Sequence, residues 1–298
     1  MKRALSALVA YASSDEESPC VVQPKGTCPD PPPKKRKKLP PPSSTITIPS
    51  PVDNPALHQG RIRTTPHVEG QFAAHVYVSL PLGRNSMLYK VVQAILYDAK
   101  KAIPALHEIW TSQQRPELHI SLSRPIFLRA HQREDLKRAV KKVANRHRAF
   151  TVSFAILSEL INDEKTRTFL TMEVGAGHHE LRSLTDAIAP TLEAIRQQTY
   201  YVKPRFHASI AWALLCSSDH AEGHRAIPSV SNVSSFPETN ASLNEDFPSI
   251  KCLPPETVIT LNERYASQIS SPNVGAFEAN AVTLKIGKDI STWTLIGP

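Results

Sequence analysis

Apolar positions along this chain recur with two periods, one suited to strands and one to helices. Phe72–Leu80 is rich in β-formers and predicts a strand. His75 sits mid-strand among apolar neighbours there and reads as a satisfied core histidine. Leu88, Val91, Val92, Ile95, Leu96 and Ala99 have helical spacing, which predicts a helix over 88–103 with Pro104 as its stop. Residues 117–123 predict a second strand, closed by Arg124-Pro125. Residues 131–148 predict a basic helix with Leu136, Ala139, Val140 and Val143 inward and its Lys and Arg residues solvated. Phe150–Leu157 and Thr168–Val174 read as a strand pair across Asn162-Asp163. Gly175-Ala176-Gly177 then turns the chain into a helix from about His178 to Gln198, with His178 and His179 as helix-start residues. A strand over 206–213, a helix over 255–269 and a closing hairpin of Ala281–Ile286 with Ile290–Ile296 complete the pattern. The expected fold class is α+β: two pseudo-symmetric lobes with antiparallel sheets flanking a central cleft, and helices on the outside.

Two segments fall outside this pattern. Residues 1–66 hold 13 of the 26 prolines and show little apolar periodicity, so they are expected to be a disordered tail. The folded domain is expected over 67–298, with a disordered insertion at 217–252 where Ser, Pro, Asn and acidic residues replace the apolar pattern. The net charge of +8 divides accordingly. The tail has ten cations and five anions, the insertion two cations and five anions, and the remainder nets +6. A basic folded surface suits an anionic partner such as RNA. Lys34-Lys35-Arg36-Lys37-Lys38, framed by Pro31–Pro33 and Pro40–Pro42, has the extended, exposed character of a nuclear-import signal, so nuclear localisation is expected. Ser13–Ser18 is an acidic serine patch and reads as solvated tail. Lys2-Arg3 followed by Ala4–Ala12 faintly resembles a signal peptide, but the apolar stretch is short and weakly hydrophobic. No run approaches the ~20 apolar residues of a membrane helix, and no membrane partner is expected. Cys20, Cys28, Cys216 and Cys252 have neither a Cys-x-x-Cys pair nor zinc spacing with histidine, which fits free thiols in a reducing compartment.

The candidate chemistry lies in two strands 88 residues apart, Leu118-His119-Ile120-Ser121-Leu122 and Phe206-His207-Ala208-Ser209-Ile210. Alternate residues of a strand share a face, so each histidine points the same way as its serine. Two histidines approaching one phosphodiester suit in-line transfer, one imidazole taking a proton and one imidazolium giving one. The reference pKa of ~6.5 lets both forms exist near neutrality. Ser121 and Ser209 are candidate donors to the non-bridging phosphate oxygens, where transition-state charge builds up. No cofactor is called for. A metal site is disfavoured because serine is a poor zinc ligand and no third ligand has matching spacing. A Ser-His-Asp hydrolase is disfavoured by the lack of a Gly-x-Ser-x-Gly elbow.

Glu117–Ser123 and Phe206–Trp212 resemble the twin motifs of the two-histidine phosphoesterase superfamily. More narrowly, Ala74–Val78, Leu170–His178 and Tyr201–His207 are similar to the U6 snRNA phosphodiesterase family, as is the tail phrase Leu8–Asp15. The resemblance covers roughly 67–216 and 253–298. It implies a metal-independent 3′→5′ exoribonuclease that trims the oligouridine tail of U6 snRNA; with RNA the natural attacking group is the 2′-hydroxyl beside the phosphate, and a monomer is expected. The product would be a 2′,3′-cyclic phosphate, opened in some members to a terminal phosphate. It carries over His119 and His207 as the acid/base pair and Ser121 and Ser209 as phosphate ligands. Tyr201 matches an aromatic that stacks on a terminal base, with neighbouring Tyr200 as the rival for that role. Two other readings stand beside it: a 2′,3′-cyclic nucleotide phosphodiesterase of RNA-end processing, and a non-catalytic nuclear RNA-binding module.

Overall fold

The structure, a computed structural model, describes residues 54–62, 68–110, 115–216 and 247–297. All of them fall within one unit, Ser50–Pro298. The strands are β1 (Gln71–Pro81), β2 (His107–Glu108), β3 (Glu117–Ser121), β4 (Ile126–Arg129), β5 (Phe150–Ile161), β6 (Arg167–Val174), β7 (His207–Leu215), β8 (Ser249–Ile250), β9 (Ala276–Ala279), β10 (Ala281–Ile286) and β11 (Asp289–Thr294). The helices are α1 (Met87–Ala102), α2 (Arg133–Ala144), α3 (His178–Ala194), α4 (Pro255–Ile269) and the single turn α5 (Pro272–Gly275). Along the main path the strand order is β11-β10-β1-β3-β7-β6-β5-β9, with every neighbour antiparallel.

The expected two-lobed α+β architecture is present. Strands β11, β10, β1 and β3 form one half, and β7, β6, β5 and β9 the other. β3 and β7 meet at one paired position, Ile120 opposite Ala208, which is the seam between halves. Helices α2 and α3 pack on each other, with α2 against β10 and β11; α1 and α4 pack on each other, with α4 against β5. Helix α1 follows β1 in sequence yet reaches β7 of the other half, so the lobes share their helices across the seam. The inward residues of α1 are the six that the spacing singles out, and Ser86 caps its start by accepting from the Tyr89 N–H at 3.2 Å. Helix α2 is shorter than the sequence suggests at both ends: Ala130–Gln132 tighten into a 3-10 turn before it, and it ends at Ala144 with Asn145 as its cap. Gly177 turns the chain from β6 into α3 at φ 88°, and a Cβ there would lie 2.8 Å from the Thr151 carbonyl, so only glycine fits.

Residues 54–62 correct the boundary of the tail. Asn54 caps a 3-10 turn, Pro55–His58, by accepting from the Ala56 N–H at 3.0 Å. Gly60 is buried, and a Cβ on it would strike Leu214 and Phe247. The Arg61 guanidinium lies 5.2 Å from the centre of the Trp212 ring, which His107 stacks against at 4.7 Å. This segment therefore packs on the sheet despite its tail-like composition. The serine patch at 13–18 and the Lys34–Lys38 run lie outside the described residues. Of the insertion, 217–246 lie outside them too, while Ser249–Ile250 form β8, parallel to β7.

Leu118, Ile120 and Leu122 are fully buried beneath the sheet, as are Ala208 and Ile210. Burying one face of each strand drives the other face, with the histidines and serines, to the opposite side. Truncating Ile120, at the seam itself, removes packing that both halves share. Ile120→Ala is expected to cost about 2–5 kcal/mol of unfolding free energy in urea denaturation; a loss below about 1 kcal/mol would show that the seam is not packed as described.

Candidate active site

On the face away from the helices lies a cleft of about 480 Å³, and among the described residues its lining comes from strands and from loops, the α3–β7 loop with Tyr200 and Tyr201 among them. His119, Ser121, His207 and Ser209 all line it, so both motifs open into one cavity. The antiparallel pairing of Ile120 with Ala208 sets their order. The flanking residues alternate across the seam, with His119 toward Ser209 and Ser121 toward His207. Each serine thus sits beside the histidine of the other motif.

The His207 Nδ1 lies 2.6 Å from the Arg205 carbonyl oxygen. A carbonyl only accepts, so Nδ1 carries the proton and Nε2 is the nitrogen left for a substrate. Opposite His207 in register is Glu173 on β6. Burial opposes ionisation of Glu173, but hydrogen bonds from Arg205 and Ser158, with the charges of Arg205 and His207, hold the carboxyl below its ordinary range. Burial is the main cause that lowers the His207 imidazole; the Arg205 carbonyl and the Glu173 charge counter it in part. Burial also lowers His119, helped by the charges of His207 and Lys285 and opposed by Glu117. Both imidazoles are therefore easier to deprotonate than a free histidine.

His75 is a correction. It is half-buried on β1, lines the same cleft, and places Nε2 3.0 Å from the Ser121 Oγ. Its ring is edge-on to His119 at 5.3 Å and stacked on Tyr77 at 5.2 Å. Burial, then the charges of His119 and Lys285, push its imidazole down to about 3. The strand alternation carried this signal: Ala74, Val76, Val78 and Leu80 are the buried set, and residue 75 lies between them on the other face.

Tyr201 lines the cleft wall and is 42% exposed. Its hydroxyl donates to Asp163 at 2.8 Å, and the Arg124 guanidinium lies 4.6 Å from its ring centre while pairing with the same carboxylate. Hydrogen bonding from Arg124 holds Asp163 below the usual carboxylate range. Tyr200 is packed instead against Phe206, ring to ring at 5.6 Å, and burial pushes its phenol upward. The pairing of Arg124 with Asp163 and Tyr201 was not apparent in the sequence, because the three residues come from three separate loops. Lys285, the register partner of His75, also lines the cleft and adds a cation to it. Among the described residues no group of three His, Cys, Asp or Glu side chains is placed to hold a metal ion, and no helix is long and apolar enough to cross a membrane.

Comparisons with known proteins bear on this geometry. The chain is 34% identical over 165 residues to U6 snRNA phosphodiesterase 1 of Bos taurus, a match spanning 55% of this chain and 59% of the relative. It is 32% identical over 165 residues to the protein of that name in Homo sapiens, with the same two coverages. The chain thus spans about three-fifths of the length of these curated relatives. Among solved structures, Usb1 of Kluyveromyces marxianus aligns with 75% of this chain and 98% of its own at 14% identity and a TM-score of 0.44. LigT of E. coli aligns with 76% and 99% at 9% identity and a TM-score of 0.38. The model of the HVSL family, described as an uncharacterised conserved protein, matches residues 31–293, and with nearly the whole folded part inside that match, the chain belongs to the HVSL family.

Proposed function

We propose that this chain is a metal-independent RNA phosphodiesterase, a 3′→5′ exoribonuclease that trims the oligouridine tail of U6 snRNA in the nucleus. The observation that carries the reading is the convergence of His119, Ser121, His207 and Ser209 on one cleft from strands joined at Ile120 and Ala208. Both motifs come from one chain, so a monomer suffices. The similarity to curated U6 snRNA phosphodiesterases supports the choice of substrate.

In this reading the 2′-hydroxyl of the penultimate ribose attacks the terminal phosphodiester. One imidazole accepts the hydroxyl proton as the new P–O bond forms; the other, as imidazolium, protonates the 5′-oxygen as its bond to phosphorus breaks. The terminal nucleoside leaves, and the shortened RNA ends in a 2′,3′-cyclic phosphate. Water can open that ring with the two roles reversed. His207 would act through Nε2, since Nδ1 is held by the Arg205 carbonyl. The hydroxyls of Ser121 and Ser209 would donate to the non-bridging oxygens as charge accumulates on them. Tyr201 would stack on the terminal uracil, a contact of about 1–3 kcal/mol.

Incubation of a 3′-uridylated RNA with protein and excess chelator tests the chemistry. Trimming is expected to persist, and His119→Ala and His207→Ala are each expected to slow it by roughly 10²-fold or more. Loss in chelator would sink the metal-free mechanism. A 2′-deoxy sugar at the attacking position should block cleavage, and cleavage of that substrate would rule out 2′-hydroxyl attack.

The lowered imidazoles set a pH signature. An imidazolium needed as acid is lost as pH rises, and here it is lost earlier than for a free histidine. The alkaline limb of kcat/KM should therefore have its inflection below about 6.5. Bound phosphate favours the imidazolium, so the limb of kcat should lie at higher pH than that of kcat/KM. An alkaline inflection of kcat/KM above about 6.5 would contradict this site. Deleting Lys34–Lys38 is expected to reduce nuclear accumulation of a fluorescent fusion and leave trimming by the purified protein intact; undiminished accumulation would remove that segment from import.

A further inference from the structure

The two serines of the site do not have equal surroundings. Ser209 has no hydrogen-bonding side chain against its hydroxyl among the described residues, whereas Ser121 has the His75 Nε2 at 3.0 Å. A serine hydroxyl has one proton and two lone pairs. If Ser121 gave its proton to His75, it would turn lone pairs toward the phosphate and repel it. If His75 gives a proton to Ser121, the hydroxyl proton stays free for a phosphate oxygen, and accepting a bond strengthens the hydroxyl as a donor.

We propose that His75 is a positioning residue for phosphoryl transfer: its Nε2–H donates to the Ser121 Oγ and so commits the Ser121 proton to the substrate phosphate. The surroundings hold this arrangement. The ring packs in a three-ring cluster, stacked on Tyr77 at 5.2 Å and edge-on to His119 at 5.3 Å, with Tyr77 and His119 5.6 Å from each other. Lys285 stands opposite His75 in register, and no carboxylate pairs with the imidazole among the described residues. The ring therefore stays neutral and carries a single N–H. A neutral donor has a second consequence. A lysine or arginine in its place would set a full charge beside His119 and disfavour the imidazolium that acid catalysis requires. Histidine supplies the hydrogen bond without that charge.

The proposal rests on the phosphodiesterase reading, and a paired set of variants tests it. His75→Phe keeps a flat ring against Tyr77 and His119 but has no donor. His75→Gln places an amide N–H where Nε2 lies. His75→Phe is expected to lower kcat about tenfold on uridylated RNA, the worth of one hydrogen bond, with KM within about twofold. His75→Gln should recover most of the loss. In a Ser121→Ala background, His75→Phe should cost nothing further. Losses that multiply in the double variant, or equal losses for Phe and Gln at unchanged melting temperature, would overturn the proposal. If either variant melts early, the same comparison is made at a temperature where all are folded. If the wild-type protein leaves RNA uncut, the functional reading fails by itself. The variants are then compared by calorimetry with a uridine vanadate complex, which mimics the five-coordinate transition state, where weaker binding by Phe restored by Gln upholds the role of His75, and equal binding by all three ends it.

Discussion

Pairing of Ile120 with Ala208 is the contact on which the molecule turns. It is one bridge between strands that otherwise diverge, each belonging firmly to its own half through β1 and β6. Because side chains alternate along a strand, a single register fixes four positions at once. Slipping it by one residue would bury the histidines and expose Leu118, Ile120 and Ile210. The apolar sets beneath both strands are fully buried, so the hydrophobic core enforces the polar arrangement above it. Helices α1 and α4 on one side and α2 and α3 on the other close that core and leave the upper face free for a cleft.

The cleft differs on its two sides although its motifs match. His207 is anchored through Nδ1 to a backbone carbonyl and faces Glu173, itself secured by Arg205 and Ser158. His119 has aromatic neighbours instead, Tyr77 at 5.6 Å and His75 at 5.3 Å. Burial is the leading cause of the lowered imidazoles at all three histidines. In a place with this little solvent, hydrogen-bond geometry decides which nitrogen carries a proton more strongly than it does in water. Arg124 and Asp163 then tie Tyr201 to the rim, joining the loop after β3 to the β5–β6 turn. As an ion pair at the surface it adds little stability; its contribution is to hold an aromatic ring in one orientation.

Much of this was written locally. The spacing of α1, the start of α3 after Gly177 and the bounds of α4 follow from helical periodicity and from Pro and Gly at the termini. The four motif residues were readable because β3 alternates between buried and cleft-facing positions along its length and β7 does so over His207–Ile210, before its buried run Ile210–Ala213. The short strands β2, β4, β8 and β9, of two to four residues, were not readable, since they exist only where a longer neighbour offers a free edge. Residues 54–62 misled through composition: proline and polar residues suggested tail, while the buried Gly60 and the stack of Arg61 on Trp212 depend on surfaces supplied from far along the chain.

The sequence by itself determined which residues share a face, because side-chain direction follows from a period of two or 3.6 with no knowledge of partners. It therefore determined that each histidine travels with its serine. Only the tertiary structure decided which strands stand together, since hydrogen bonds between strands are made by backbone groups that every residue carries alike. That placed β1 beside β3 and set His75 against Ser121, changing a histidine that read as core into one that touches the site. It also brought Glu173 opposite His207 and Asp163 under Tyr201, pairings that no local pattern encodes.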